Sequence, residues 1–279
     1  MLRIFHPTMI ACSMFYEYRT RGGVVTTPPD TGPFTGRVAV ITGAGSGIGR
    51  AATIAFAEAG AHVLGVGRRT EALHRTAQEH AGIAVLATDI RATNAGQAII
   101  DAAVGRWARV DVLVNNAGAT AVMPLADTVA DRITEMFDLH VTAPSMLAHA
   151  ALPHLRHTRG TIINISSTYG HRPVAGAAHY AASKAALEQL TRCWALELAT
   201  DGIRVNALAP GPTESEALRA AGLPEPMVNQ IKQDEAARIP LGRRGHPDDV
   251  ARWVLRLADP AATWLTGQVL TVDGGLELT

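Results

Sequence analysis

At 279 residues, with 47% hydrophobic residues and a formal net charge of +0, the chain has enough apolar side chains to bury the core of one large α/β domain. The balanced charge gives no footprint for nucleic acid or an anionic membrane surface, and no apolar run reaches the roughly 18 residues of a membrane span. The two cysteines, Cys12 and Cys193, have neither the partners of a disulfide framework nor the neighbours of a metal site.

Residues 1–34 stand apart in composition. They end in turn formers, lack sustained periodicity, and read as a flexible or partner-clasping arm. His6, Pro7 and Thr8 interrupt the apolar stretch that a signal peptide needs, so a cytoplasmic location is expected. From residue 37 onward apolar runs alternate with helical stretches, the pattern of a doubly wound parallel sheet.

The expected strands are Val38–Thr42, Ala61–Val66, Ile83–Thr88, Val110–Val114, Thr161–Ile165, Arg204–Leu208 and Gln268–Val272. A helix over 48–59 ends at Gly60, Thr70 can cap the next one, which closes near Gly82, and the last helix runs near Asp248–Ala258. The fold class is therefore α/β, a seven-stranded doubly wound sheet in a single domain over 35–279. Pro210, Gly211 and Pro212 stop the chain after the sixth strand. The long interruption at about 213–246 lies beyond a strand's carboxyl end, where a substrate lid belongs.

The first strand runs into a turn carrying Gly43, Gly47 and Gly49, with Ser46 and Ile48 between them, and the turn opens a helix. Glycine lets backbone amides approach a pyrophosphate, and the helix amino terminus favours that anion. Further along, Tyr180 and Lys184 stand four residues apart on one helical face, with Ser167 thirteen positions before the tyrosine. A phenol of pKa near 10 is a poor base at neutral pH, and a neighbouring ammonium can draw it down. Tyr180 would then exchange a proton with a carbonyl or hydroxyl oxygen that Ser167 holds, so hydride transfer is the leading reading. Tyr169 cannot fill the same role, because Pro173 occupies the place of its lysine.

The ordered motifs TGAGSGIG at 42–49, NNAG at 115–118, Ser167 with YAASK at 180–184, PG at 210–211 and VDGG at 272–275 resemble the short-chain dehydrogenase/reductase family over roughly 36–275. The resemblance implies that Asp89, followed by Ile90, meets the adenine amino group, with a helix cap as the plainer alternative. It implies that Asn116, Ala117 and Gly118 line the adenosine pocket while steadying the sheet. Lys184, beside Tyr180, would also bind the nicotinamide ribose. Beyond Pro210 and Gly211, Thr213 would meet the nicotinamide carboxamide, and Ser215 stands where a threonine is customary. Gly67 replaces the acid of NAD-preferring members and is followed by Arg68 and Arg69, whose guanidinium groups suit a 2′-phosphate. NADP is the expected cofactor, with NAD left open.

One departure concerns His140, which stands where the family usually has an asparagine that holds a water linking the lysine to solvent. Either the proton relay runs through the imidazole, or the ring is a satisfied core histidine. No metal is expected. The resemblance implies an NADPH-dependent ketoreductase acting on a small-molecule ketone or secondary alcohol. Alternatives are a 3-oxoacyl thioester reductase and a non-catalytic NADP-binding sensor or scaffold. Ala119, Thr120, Tyr169, His171 and the segment 213–240 are candidates to face the substrate. A homotetramer is implied, with contacts through helices near 128–155 and 179–200.

Overall fold

The computed structural model describes residues 32–215 and 224–279, so residues 1–31 of the expected arm over 1–34 and the part of the lid at 216–223 lie outside the described residues. Seven strands form one parallel sheet in the order β3-β2-β1-β4-β5-β6-β7. They are β1 Val38–Thr42, β2 His62–Gly67, β3 Ile83–Ala87, β4 Val112–Asn115, β5 Thr161–Ile165, β6 Arg204–Pro210 and β7 Val269–Val272. Every residue of β1 and β5 is buried, as expected of central parallel strands covered on both faces by crossover helices.

Alternation along β1 assigns those faces. Val38 and Val40 belong to one core with Ile99 and Ile100 of helix α3 (Ala95–Trp107) and Leu147 and Leu155 of α5 (Ala143–Thr158). Ala39 and Ile41 belong to the other, with Ala52 and Phe56 of α1 (Gly47–Glu58) and Val250 and Val254 of the last helix, Pro247–Ala258. The chain reverses winding direction between β1 and β4, and ligands of open α/β sheets bind at the carboxyl ends beside such a switch point.

The domain begins earlier than the expected boundary after residue 34. Phe34 is 2% exposed, packs edge-on against Phe56 at 4.8 Å between ring centroids, and donates its N–H to the Ala59 carbonyl. Phe34→Ala is expected to cost about 3–5 kcal/mol, seen as a lowered urea midpoint. A midpoint equal to that of the parent protein would put Phe34 outside the cooperative unit.

Other limits shift by a few residues. β4 starts at Val112, although Val110 is fully buried, because the ladder with β1 begins at Ala39↔Val112. β6 runs on to Pro210, which pairs with Val272. Helix α2 covers Thr70–Ala77, with Arg69 rather than Thr70 in the cap position. It stops short of Gly82 because its buried residues, Ala72, Leu73 and Thr76, are spent within two turns. Within the expected lid lies a helix, Glu225–Arg238, and the two ends of the insertion meet in a parallel bridge between Thr213 and Gly245. Among the described residues no helix is long and apolar enough to cross a membrane.

Candidate active site

The turn after β1 is closed by backbone contact. A Cβ on Gly43 would lie 2.6 Å from the Asn116 side-chain nitrogen. One on Gly49 would lie 2.3 Å from the Gly43 carbonyl oxygen. The Asn116 side chain donates to the Thr42 carbonyl at 2.8 Å, and the N–H groups of Asn116 and Ala117 donate to Thr42 Oγ1 at 3.0 and 2.9 Å. The NNAG segment is thereby tied to the glycine turn, a structural role for Asn116.

In front of the turn lies a cavity of about 440 Å³. Its walls include Gly43, Ser46, Gly47, Ile48, Arg68, Arg69, Asp89, Ile90, Asn116, Ala117, Gly118 and Ser215, along with Ala119 and Thr120. Size, glycine lining and the amino terminus of α1 fit a dinucleotide. Gly49, Pro210, Gly211, Thr213, Tyr180 and Lys184 lie off this wall. Gly118 joins the cavity to the second group of residues, since a methyl on it would sit 3.2 Å from His140 Nε2 and 3.5 Å from Lys184 Nζ.

Asp89 reaches the cavity already paired. Arg91 donates to both its oxygens, at 3.1 and 2.7 Å, and its N–H adds a third bond at 3.0 Å. These bonds hold the carboxyl at about 2, with Arg68 contributing a weaker positive field. An adenine amino group would therefore meet a clamped carboxylate, and Arg91, itself in the cavity wall, is a residue the sequence reading missed. The spacing of an acid and an arginine two apart after β3 was its only signal.

Tyr180 and Lys184 lie one turn apart on α6 (Ala178–Leu198), and Ser167 lies two residues beyond the end of β5. Lys184 is 4% exposed, its Nζ donates to the Ile165 carbonyl at 2.8 Å and lies 6.0 Å from the Tyr180 ring centroid. Ser167 Oγ accepts from the Tyr169 N–H at 3.2 Å. The expectation that Lys184 draws the phenol down needs correction. Loss of hydration pushes Tyr180 up, the hydrogen bond with Ser167 draws it back, and the Tyr169 phenol adds to the rise. Burial likewise lowers Lys184 to about 8, partly offset by Glu188. For each group loss of hydration is the largest effect, and the Ser167 bond and Glu188 offset it only in part. What results is a protonated phenol beside a hydroxyl and an ammonium, a set able to deliver a proton to an oxygen.

His140 lies in a π-helical turn, Asp138–Thr142, between α4 (Ala130–Phe137) and α5. Its Nε2 accepts the Ala119 N–H at 3.2 Å, so the proton sits on Nδ1, which donates to Ser183 Oγ at 2.9 Å. Ser183 in turn donates to the Tyr180 carbonyl at 2.7 Å. Burial, with the Lys184 charge, lowers the imidazole to about 2. With both nitrogens engaged and the ring neutral, a relay titrating through His140 gives way to the satisfied core histidine. Its edge-on contact with the Tyr180 ring, at 5.7 Å, makes it part of the tyrosine's seat.

His171 also departs from expectation. Its Nδ1 meets Glu188 at 3.0 Å, while Nε2 lies 3.3 Å from both Thr271 Oγ1 and Glu277. Both nitrogens are taken up by the protein rather than offered to a substrate. Thr213 is anchored by Arg244, which donates to its carbonyl at 2.7 Å.

A family model described as enoyl-(acyl carrier protein) reductase matches residues 43–277. The chain is 35% identical to a 3-oxoacyl-[acyl-carrier-protein] reductase of Thermotoga maritima over 248 residues, 87% of this chain and 98% of the relative. It is also 35% identical to the 7alpha-hydroxysteroid dehydrogenase of Escherichia coli over 245 residues, 86% of this chain and 94% of the relative. A crystal structure of a short-chain dehydrogenase/reductase of unknown function from Caenorhabditis elegans, with cofactor, superposes with a TM-score of 0.84 at 32% identity. That match covers 88% of this chain and 97% of the other.

Proposed function

Because this chain belongs to the short-chain dehydrogenase/reductase family, whose members are NAD(P)-dependent oxidoreductases of the CH–OH/C=O couple, we propose that it is an NADPH-dependent ketoreductase. Convergence of Ser167, Tyr180 and Lys184 beside the cavity of the glycine turn carries the reading. The bound nicotinamide supplies or accepts the hydride. Tyr180, held protonated by its surroundings, gives its phenolic proton to the carbonyl oxygen in reduction; in oxidation the same group, as the phenolate, removes the hydroxyl proton. Ser167 holds that oxygen by a hydrogen bond that strengthens as negative charge develops. Lys184 keeps a positive charge beside the phenol and is the residue proposed to hold the nicotinamide ribose; Thr213 and Ser215 are proposed for the nicotinamide end on the family resemblance alone.

Gly67 in place of an acid, with Arg68 in the cavity wall, supports NADPH over NADH. Consumption of NADPH and NADH with a panel of cyclic and acyclic ketones tests the proposal. Arg68→Ala is expected to raise KM for NADPH about ten- to a hundred-fold and to leave NADH unaffected. Equal losses with both cofactors would remove the 2′-phosphate argument. The relatives acting on a hydroxysteroid and on a carrier-bound 3-oxoacyl group mark two substrate classes. A free cyclic or hydrophobic ketone is the one proposed, supported by the neutral net charge and the sparse lysines of the insertion at 213–246. Turnover of 3-oxoacyl substrate only on its carrier would favour the other. Met146 on α5 and Leu196 on α6 are exposed apolar residues on the two helices expected to form subunit contacts, and they support a homotetramer as part of the same reading.

A further inference from the structure

Glu188 is 2% exposed, one turn beyond Lys184 on α6, and is not one of the groups that exchange the proton described above. A buried carboxylate is costly to keep and contributes little net stability against a packed apolar residue, so what it holds is informative. Its Oε1 accepts from Ser166 Oγ at 2.8 Å and faces His171 Nδ1 at 3.0 Å; Arg192 approaches Oε2 at 3.9 Å. The chain passes so close that a Cβ on Gly170 would lie 2.4 Å from that Oε1. On the other side of Ser167, Thr168 is fully buried and donates to Asp273 Oδ2 at 3.1 Å. Asp273 is itself fixed, accepting the N–H groups of Gly275 at 2.9 Å and Glu277 at 2.7 Å.

The sheet stops controlling this segment at Ser166, whose N–H makes the last bond to β6, at the Leu208 carbonyl. Ser167 is extended, with φ −163 and ψ 151, and an extended residue projects its side chain away from those of its two neighbours. Three consecutive hydroxyl residues are thus divided, the outer two donating to carboxylates and the middle one left to the tyrosine. We propose that Glu188 and Asp273 are positioning residues that fix the Ser167 hydroxyl against Tyr180 by gripping Ser166 and Thr168. Charge-assisted bonds of this kind are about twice as strong as neutral ones, and they come from two different elements, α6 and the turn after β7. His171 and the Glu277 carboxylate extend the grip to the end of the chain, where Arg172 donates to the Thr279 carbonyl at 2.7 Å.

The inference rests on the ketoreductase reading, and a cycle of substitutions separates the two. Glu188→Ala and Thr168→Val are each expected to lower kcat about ten- to a hundred-fold, the scale of a small misplacement at the reacting atoms, with KM for NADPH unchanged. In a Ser167→Ala background neither should lower it further. Glu188→Gln, which keeps an acceptor for Ser166, should retain most of kcat. An ultraviolet difference titration against Tyr180→Phe supplies a readout independent of turnover: both substitutions should raise the ionisation of Tyr180 toward its value in Ser167→Ala, because the serine bond is what draws it down. Equal losses with and without Ser167, or an unmoved Tyr180 titration in folded protein, would overturn the proposal. Should the parent protein reduce no ketone, the function reading fails and the titration alone decides this one. If Glu188→Ala does not fold, Thr168→Val and Glu188→Gln carry the test.

Discussion

Tyr180→Phe is expected to lower ketone reduction by about 10²–10⁴-fold, the usual share of a positioned general acid, while NADPH still binds. The cavity wall that fits the dinucleotide does not include the phenol, and phenylalanine preserves the ring that packs on His140. Loss of turnover with KM for NADPH and thermal stability intact therefore isolates the proton. Wild-type turnover in Tyr180→Phe would mean that the proton comes from a group other than this phenol.

The pH profile separates the roles of the two ionisable groups. Reduction needs Tyr180 protonated, and burial holds the phenol above its usual value, so it loses no proton through the working range. Lys184, lowered to about 8, loses its charge first. The alkaline limb of kcat should accordingly fall near pH 8 and belong to the lysine. Glu188 supports the ammonium, so Glu188→Gln should move that limb to lower pH even where kcat on its plateau is retained.

Why some of this was legible in the sequence, and some was not, follows from the range of the interactions. Strands such as VAVIT and TIINI are buried on both faces and write that fact as unbroken apolar runs. The glycine turn and the serine, tyrosine and lysine are likewise set by short spacings. Pairing partners are another matter. That Asp89 is held by Arg91 depends on the chain bending back after β3. That His171 turns to Glu188 and Glu277, rather than to a substrate, depends on α6 and the chain end meeting behind the serine. Spacing reveals the charge of Lys184 near Tyr180 but not the phenol's loss of water, which is the largest influence on its pKa.

His140 gives the second large effect, and it is one of stability. In the unfolded chain the imidazole takes a proton near pH 6.5; in the folded protein burial and the Lys184 charge hold it neutral down to about 2. Between these values the unfolded state binds the additional proton. The contribution of the neutral ring is complete above pH 6.5 and is lost as pH falls, by up to about 1.4 kcal/mol per pH unit. From pH 6.5 to 4.5 that amounts to about 2.5 kcal/mol, a large part of the stability of an ordinary domain. Urea midpoints measured across this range should fall steeply in the parent protein and more gently in His140→Asn, which has no group to titrate there. Equal slopes would mean that the ring protonates in place. His140→Asn also loses bonds fitted to an imidazole, to the Ala119 N–H and Ser183, so its midpoint at neutral pH should be lower from the start. Since the ring never charges in the folded state over this range, acid loss of turnover should track unfolding of the tyrosine's seat and not titration of a catalytic imidazole.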